Sequence, residues 1–189
     1  MEELNEEKVL EVRMYFFVPY NISPIQQAIQ SGHAALRYAR MFSAEHPEVW
    51  DFVDNHETWI ILNGGTTNDE RDFDNVPAGT MNQIADQLQK NDIMFSYFIE
   101  PDLNHALTAL CFLADEKVFN YKDYPNFVDH IIETSGQNEF GNSFPIETIK
   151  KSNEELIAEY PSIYKSWVRE MGGIKNIFLR ELIKGKKLA

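Results

Sequence analysis

Residues 9–42, VLEVRMYFFVPYNISPIQQAIQSGHAALRYARMF, hold the two elements from which the rest of the fold follows. Residues 9–20 are rich in Val, Tyr and Phe and apolar on both faces, which predicts a central strand ended by Pro19. Ser23 is placed to cap a helix and Pro24 suits a first turn, where a missing N–H costs nothing, so a long helix is expected to start here. On a wheel of about 100° per residue, Ile25, Ala28, Ile29, Gly32, Leu36 and Ala39 share one face, expected to pack on the sheet. Gln26, Gln30, His33 and Arg37 form a separate polar stripe.

Outward from that pair, PEVWDFVDN (47–55) reads as a short helix and ETWIILN (57–63) as a second strand stopped by Gly64 and Gly65. TTNDERDFDN reads as a loop. Thr80 and Gln83 make the T-x-x-Q pattern of a capping box before a helix over 81–91. Residues 93–100 and 106–114 are a third and a fourth strand joined by the turn PDLNH. Strand, helix, strand, helix, strand, strand implies an α/β, three-layer-like sandwich: a four-stranded mixed sheet with crossover helices, over residues 1–117. Residues 118–189 show helical spacing broken by Pro145, Pro161 and Gly172–Gly173, and form a helical extension. Its aromatic stretches YPSIYKSWV and IFLREL read either as a satellite core or as a subunit interface, and a homodimer is expected.

Composition narrows the class. With 43% apolar residues in 189, the chain can bury a proper core. Cys111 is the single cysteine, which excludes an internal disulfide and a thiolate zinc cluster and fits a reducing compartment. The acidic start MEELNEEKVLEV lacks the form of a secretory signal, and no apolar run reaches the roughly 18 residues of a membrane helix. A soluble cytoplasmic protein without a membrane partner is therefore expected. Residues 1–116 carry 6 basic and 20 acidic side chains, net −14, whereas 117–189 carry 11 and 10, net +1. Such an acidic field repels polyphosphates, so a nucleic-acid partner requires a local basic patch, for which the last stretch, IKNIFLRELIKGKKLA, is the obvious candidate.

Two clusters carry possible chemistry: the stripe Gln26, Gln30, His33 and Arg37, and EPDLNHALT, where Glu100 and Asp102 straddle Pro101 with Asn104 and Thr108 beyond. Carboxylates at a sheet end facing a helix histidine can orient the imidazole for general base work. The structural reading has equal weight: Asp102 and Asn104 are good turn residues, and His33 bridges helix and sheet. His105 adjoins the second cluster and has low weight. NGGTT could present amides to a ligand but lacks the spacing of a phosphate loop, so a turn is favoured. His46, His56 and His130 have no partner at metal-ligand spacing; no metal is expected. No serine occupies a nucleophile elbow and Cys111 sits in an apolar run, so covalent catalysis has no candidate.

AIQSGHAAL after an apolar strand, followed later by an apolar strand, a turn and LTALCFLA, resembles the peptidyl-tRNA hydrolases of the archaeal and eukaryotic type. The family pattern of a glutamine, two small residues and a histidine before two alanines falls on Gln30, Ser31, Gly32, His33, Ala34 and Ala35. The resemblance spans about residues 10–116, with EPDLNHALTA similar to a variant of divergent bacterial and viral members. It implies cleavage of the ester between a peptide and the terminal ribose of its tRNA, without metal or organic cofactor. The acidic role would fall on Asp102 or Glu100 and that of a threonine on Thr108, while Gln26 and Pro24 stand where the family has lysines. In that reading His33, oriented by Glu100 or Asp102, activates water, and Arg37 steadies phosphate or oxyanion. Gln26, Gln30, Arg37 and Asn104 would contact substrate. A fold that has kept a cleft for a small nucleotide-like ligand and lost the reaction is the alternative.

Overall fold

The computed structural model describes residues 9–68, 78–135 and 151–189; the acidic start, most of the polar loop after β2 and the break at Pro145 lie outside the described residues. They fall into two compact units, residues up to 116 together with 183–189, and residues 117–182.

The first unit is built on four strands, β1 (Val12–Pro19), β2 (Thr58–Gly65), β3 (Ser96–Glu100) and β4 (Ala106–Asp115), in the order β2-β1-β4-β3. β1 pairs parallel with β2 and antiparallel with β4, and β3 pairs antiparallel with β4, so the sheet is mixed and β1 is interior. Interior placement explains its apolar character on both faces: every residue from Met14 to Val18 is buried. α1 (Pro24–Phe42) opens with the expected cap, the Ser23 hydroxyl accepting from the Gln26 amide while the Gln26 side chain accepts from the Ser23 N–H.

Met14, Phe16 and Val18 pack with Ala34 and Tyr38 of α1, with Val49 of α2 (Pro47–Asp51) and with Phe52 of a π-helical turn (Phe52–His56). On the opposite face, Tyr15 and Phe17 meet Phe112. There α3 (Thr80–Lys90) brings Met81 so close to Gly64 that a Cβ at that position would collide with the Met81 sulfur. Helices thus cover both faces. Residues 187–189 run along the free edge of β2, with the Asn63 N–H donating to the Lys187 carbonyl and Leu62 bridging Leu188 antiparallel.

Two expectations change. The Thr80–Gln83 capping box does not form: Gly79 is the cap residue, and the Thr80 hydroxyl instead donates to the Gly64 carbonyl at 2.6 Å, tying the helix start to the end of β2. α1 also lies rolled almost half a turn from its apolar wheel. Its buried residues are Gln27, Gln30, Ser31, Ala34 and Tyr38, while Ile25, Ile29 and Leu36 are 75%, 51% and 73% exposed. Hydrogen bonds permit this burial of polar groups: Gln27 donates to the Pro19 carbonyl, Ser31 to the Gln27 carbonyl, and Ser96 of β3 to the Ala34 carbonyl at 2.6 Å. Small Ser31 and Ala34 let the helix backbone come that close.

The second unit contains the short α4 (Glu116–Phe119), which starts at its boundary, then α5 (Phe127–Ser135), α6 (Asn153–Glu159), α7 (Pro161–Glu170) and α8 (Ile174–Ile183). Phe127, Ile131, Leu156, Trp167 and Met171 form its own core, with Phe127, Tyr164 and Trp167 in mutual ring contact. Arg180 is buried within it, stacked on Tyr121 and donating to Asn126 Oδ1 and to the carbonyls of Lys117 and Tyr124.

Candidate functional site

α1 crosses the sheet over β3 and β4, so the polar stripe of the helix meets the end of β3 and the start of β4. Gln30 is 5% exposed, and both ends of its amide are used across the sheet. Its nitrogen donates to Glu100 Oε2 at 2.7 Å, and its oxygen accepts from the Thr108 hydroxyl at 2.9 Å. Residues separated by 70 and 78 positions are thereby joined through one side chain. Thr108 is fully buried, and its hydroxyl is shared between Gln30 and the Phe98 carbonyl. Glu100 is half-buried, and its second oxygen accepts from the Asp102 N–H, closing a short 3-10 turn (Pro101–Leu103).

Asp102 and Asn104 are exposed on this reversal. Asn104 and His105 adopt left-handed conformations, with φ of 50° and 55°, which makes them the pivot of the β3–β4 connection. Of the two acids, Glu100 is the one connected to the helix.

His33, one turn beyond Gln30, is exposed, and its ring lies flat on Phe98 with centroids 4.4 Å apart. Among the described residues no hydrogen bond or ion pair links the imidazole to Glu100 or Asp102, contrary to the orientation expected from the sequence. The reason is rotational: Gln30 points between helix and sheet and captures the carboxylate, whereas His33 projects over the outside of β3. Arg37 lies beside it, its guanidinium 4.6 Å above the Phe98 ring and donating to the Tyr97 carbonyl at 3.2 Å. His33, Arg37, Arg40, Tyr97 and Phe98, with Leu36 and Met41, line an open cleft of about 370 Å³. Arg37 and Arg40 bring two positive charges to the cleft, although residues 1–116 are net −14; the other cations of the unit include Arg13, Lys90 and Lys184, Lys186 and Lys187 of the terminal segment. Arg40, Tyr97 and Phe98 were missed in the sequence. Arg40 sits at i+7 from His33 and could have been read from spacing, but the two aromatic residues lie in a strand whose register it does not reveal.

Gln26 stands one turn before Gln30, exposed, with its amide oxygen engaged by Ser23. NGGTT is a junction, with Gly65 at φ 82° and the Thr66 N–H donating to the Thr80 hydroxyl. Cys111 is fully buried beside Ser96, and burial pushes its thiol up to about 12. Among the described residues no three His, Cys, Asp or Glu side chains are grouped to hold a metal ion, and no helix is long and apolar enough to cross a membrane.

The arrangement offers a half-buried carboxylate held by an amide and, farther along the helix, a cationic aromatic cleft. The cleft has the charge and the rings to take a phosphate-bearing ring, and Glu100 lies outside its lining. No family model and no curated protein matches the sequence.

Proposed function

We propose that the sheet unit is a divergent relative of the archaeal and eukaryotic type of peptidyl-tRNA hydrolase, an esterase acting on acylated tRNA. What supports the reading is the joining of Thr108 and Glu100, one of the two acids on which the resemblance lets the acidic role fall, through the one side-chain amide of Gln30. In this reading Glu100 takes a proton from water as the oxygen attacks the ester carbonyl. The bond to the ribose oxygen then breaks and the leaving oxygen regains a proton. Gln30 and Thr108 are positioning residues that fix the carboxylate. His33, Arg37 and Arg40 receive the terminal nucleotide, with its base against Tyr97 or Phe98 and its phosphate on the guanidinium groups. Gln26 replaces a cation in the first turn of α1, so oxyanion stabilisation is weaker by a few kcal/mol, roughly the worth of one charged donor. Slow turnover follows. Incubation with N-acetylaminoacyl-tRNA at stoichiometric enzyme tests the reading: release of the acyl group is expected, and an intact ester after hours retires it.

The His33 imidazole, stacked on Phe98 and not bonded to Glu100 or Asp102, favours a second reading, in which the cleft holds a small nucleotide-like ligand without cleaving it. A thermal shift on mixing with nucleotides or cyclic dinucleotides, in a protein that leaves acylated tRNA intact, would select this reading. A flat response across that panel would remove it.

A further inference from the structure

On the flank of α1 away from the cleft, the helix leaves part of the sheet uncovered. Gly32, Ala35, Leu36 and Ala39 form one wall of an apolar groove of about 520 Å³, and Val53 and Trp59 stand on the other side. The floor is Met14 with Val49 and Phe52. A Cβ built on Gly32 meets nothing within 4 Å, so this wall is open above the backbone. Leu36 is 73% and Trp59 44% exposed, an unusual cost for large apolar side chains so close together.

Glu57 lines this groove, and the segment that supplies its Val49, Phe52 and Val53 is strongly acidic. Glu45, Glu48, Asp51, Asp54 and Glu57 recur at every third position from just before α2 to the residue after the π-helical turn, and all are exposed. Residues 41–68 contain no lysine or arginine. The partners these acids do have are His46, 3.0 Å from Glu48, and His56 and the Asn55 amide on Asp51. Among the described residues none of the five is paired with a lysine or arginine. An uncompensated row of carboxylates beside an apolar trough matches a helix with one apolar stripe flanked by lysines or arginines. A second copy of the same acidic unit would place like charges together.

We propose that this groove is a docking site for a basic amphipathic helix of a partner protein. It shares only Leu36 with the cleft of His33 and does not depend on the esterase reading. The test uses a fluorescein-labelled synthetic peptide of about 18 residues, five helical turns, with leucines at i, i+4, i+7 and i+11 and lysines on either side. A twin carries glutamates in place of the lysines. Anisotropy titration of the full chain should give saturable binding of the lysine peptide and at least about tenfold weaker binding of the twin. Gly32→Leu fills the groove without disturbing the acids and should weaken the lysine peptide by about tenfold or more, with circular dichroism confirming the fold. Absence of binding overturns the proposal. So does equal affinity for Gly32→Leu, which would mean general charge attraction. Concentration-dependent dimerisation in sedimentation that Gly32→Leu abolishes would assign the groove to a second copy and equally overturn it.

Discussion

Cys111 illustrates how burial sets the chemistry of a single residue in this chain. Its thiol is raised from 9.0 to about 12 by desolvation, so the folded state holds the proton that an unfolded thiol releases from about pH 9 upward. Its contribution to stability is present below pH 9 and is lost as the pH rises toward 12. Tyr38, raised by the same cause, acts in the same direction. Urea unfolding at pH 8 and pH 10.5 should therefore show a fall in stability, and Cys111→Ala should make that fall shallower. Arg180 makes the reverse point: burial lowers its pKa, yet three acceptors and the Tyr121 ring hold its guanidinium. Arg180→Leu removes three hydrogen bonds at about 1 kcal/mol each and should cost roughly 3 kcal/mol in denaturant titration of the helical unit. Gln26 is where one charge matters most for the proposed reaction. A lysine there would sit one turn from Gln30, so Gln26→Lys should raise the deacylation rate by about tenfold or more, worth roughly 1.4 kcal/mol. An unchanged rate would separate that position from the chemistry.

α1 shows what periodicity can and cannot reveal. Its limits, its cap at Ser23 and its place after an interior strand were legible because Pro24, Ser23 and the two-faced apolar run of β1 are local signals. Its orientation was not. A wheel ranks residues by hydrophobicity, but Gln27, Gln30 and Ser31 are buried because partners elsewhere in the chain satisfy them, and sequence spacing carries no trace of those partners. The same limit applies to Thr80, whose hydroxyl was claimed by the end of β2 and not by its own helix. Of the candidate site, Gln30, Glu100 and Thr108 were legible as residue types, while their connection, and the separation of His33 from both acids, required the register of β3 against β4. The rolled helix makes its own prediction. Gly32 is in a helix interior with open space beside it, so Gly32→Ala should stabilise the fold by about 0.5–1 kcal/mol in thermal or urea unfolding. A loss of stability would mean that the outer side of α1 is more crowded than described.

At the scale of the whole molecule, charge divides the work. Residues 1–116 are net −14, and against that field two arginines and a histidine share one cleft, while Glu57 lines a groove whose Val49, Phe52 and Val53 come from a segment carrying four further acids. An anionic substrate would meet attraction at the cleft over roughly one Debye length, about 8 Å at physiological salt. In the proposed reading Arg37 and Arg40 hold the nucleotide, so replacing both by alanine should raise KM for acylated tRNA about tenfold or more and leave kcat within a few-fold. The most direct test of the esterase reading is a single-turnover measurement of acyl release from N-acetylaminoacyl-tRNA by the wild-type chain, Glu100→Gln and Asp102→Asn. A drop of about a hundredfold or more for Glu100→Gln, with Asp102→Asn within a few-fold of wild type, is the predicted result. Equal rates for wild type and Glu100→Gln would contradict it.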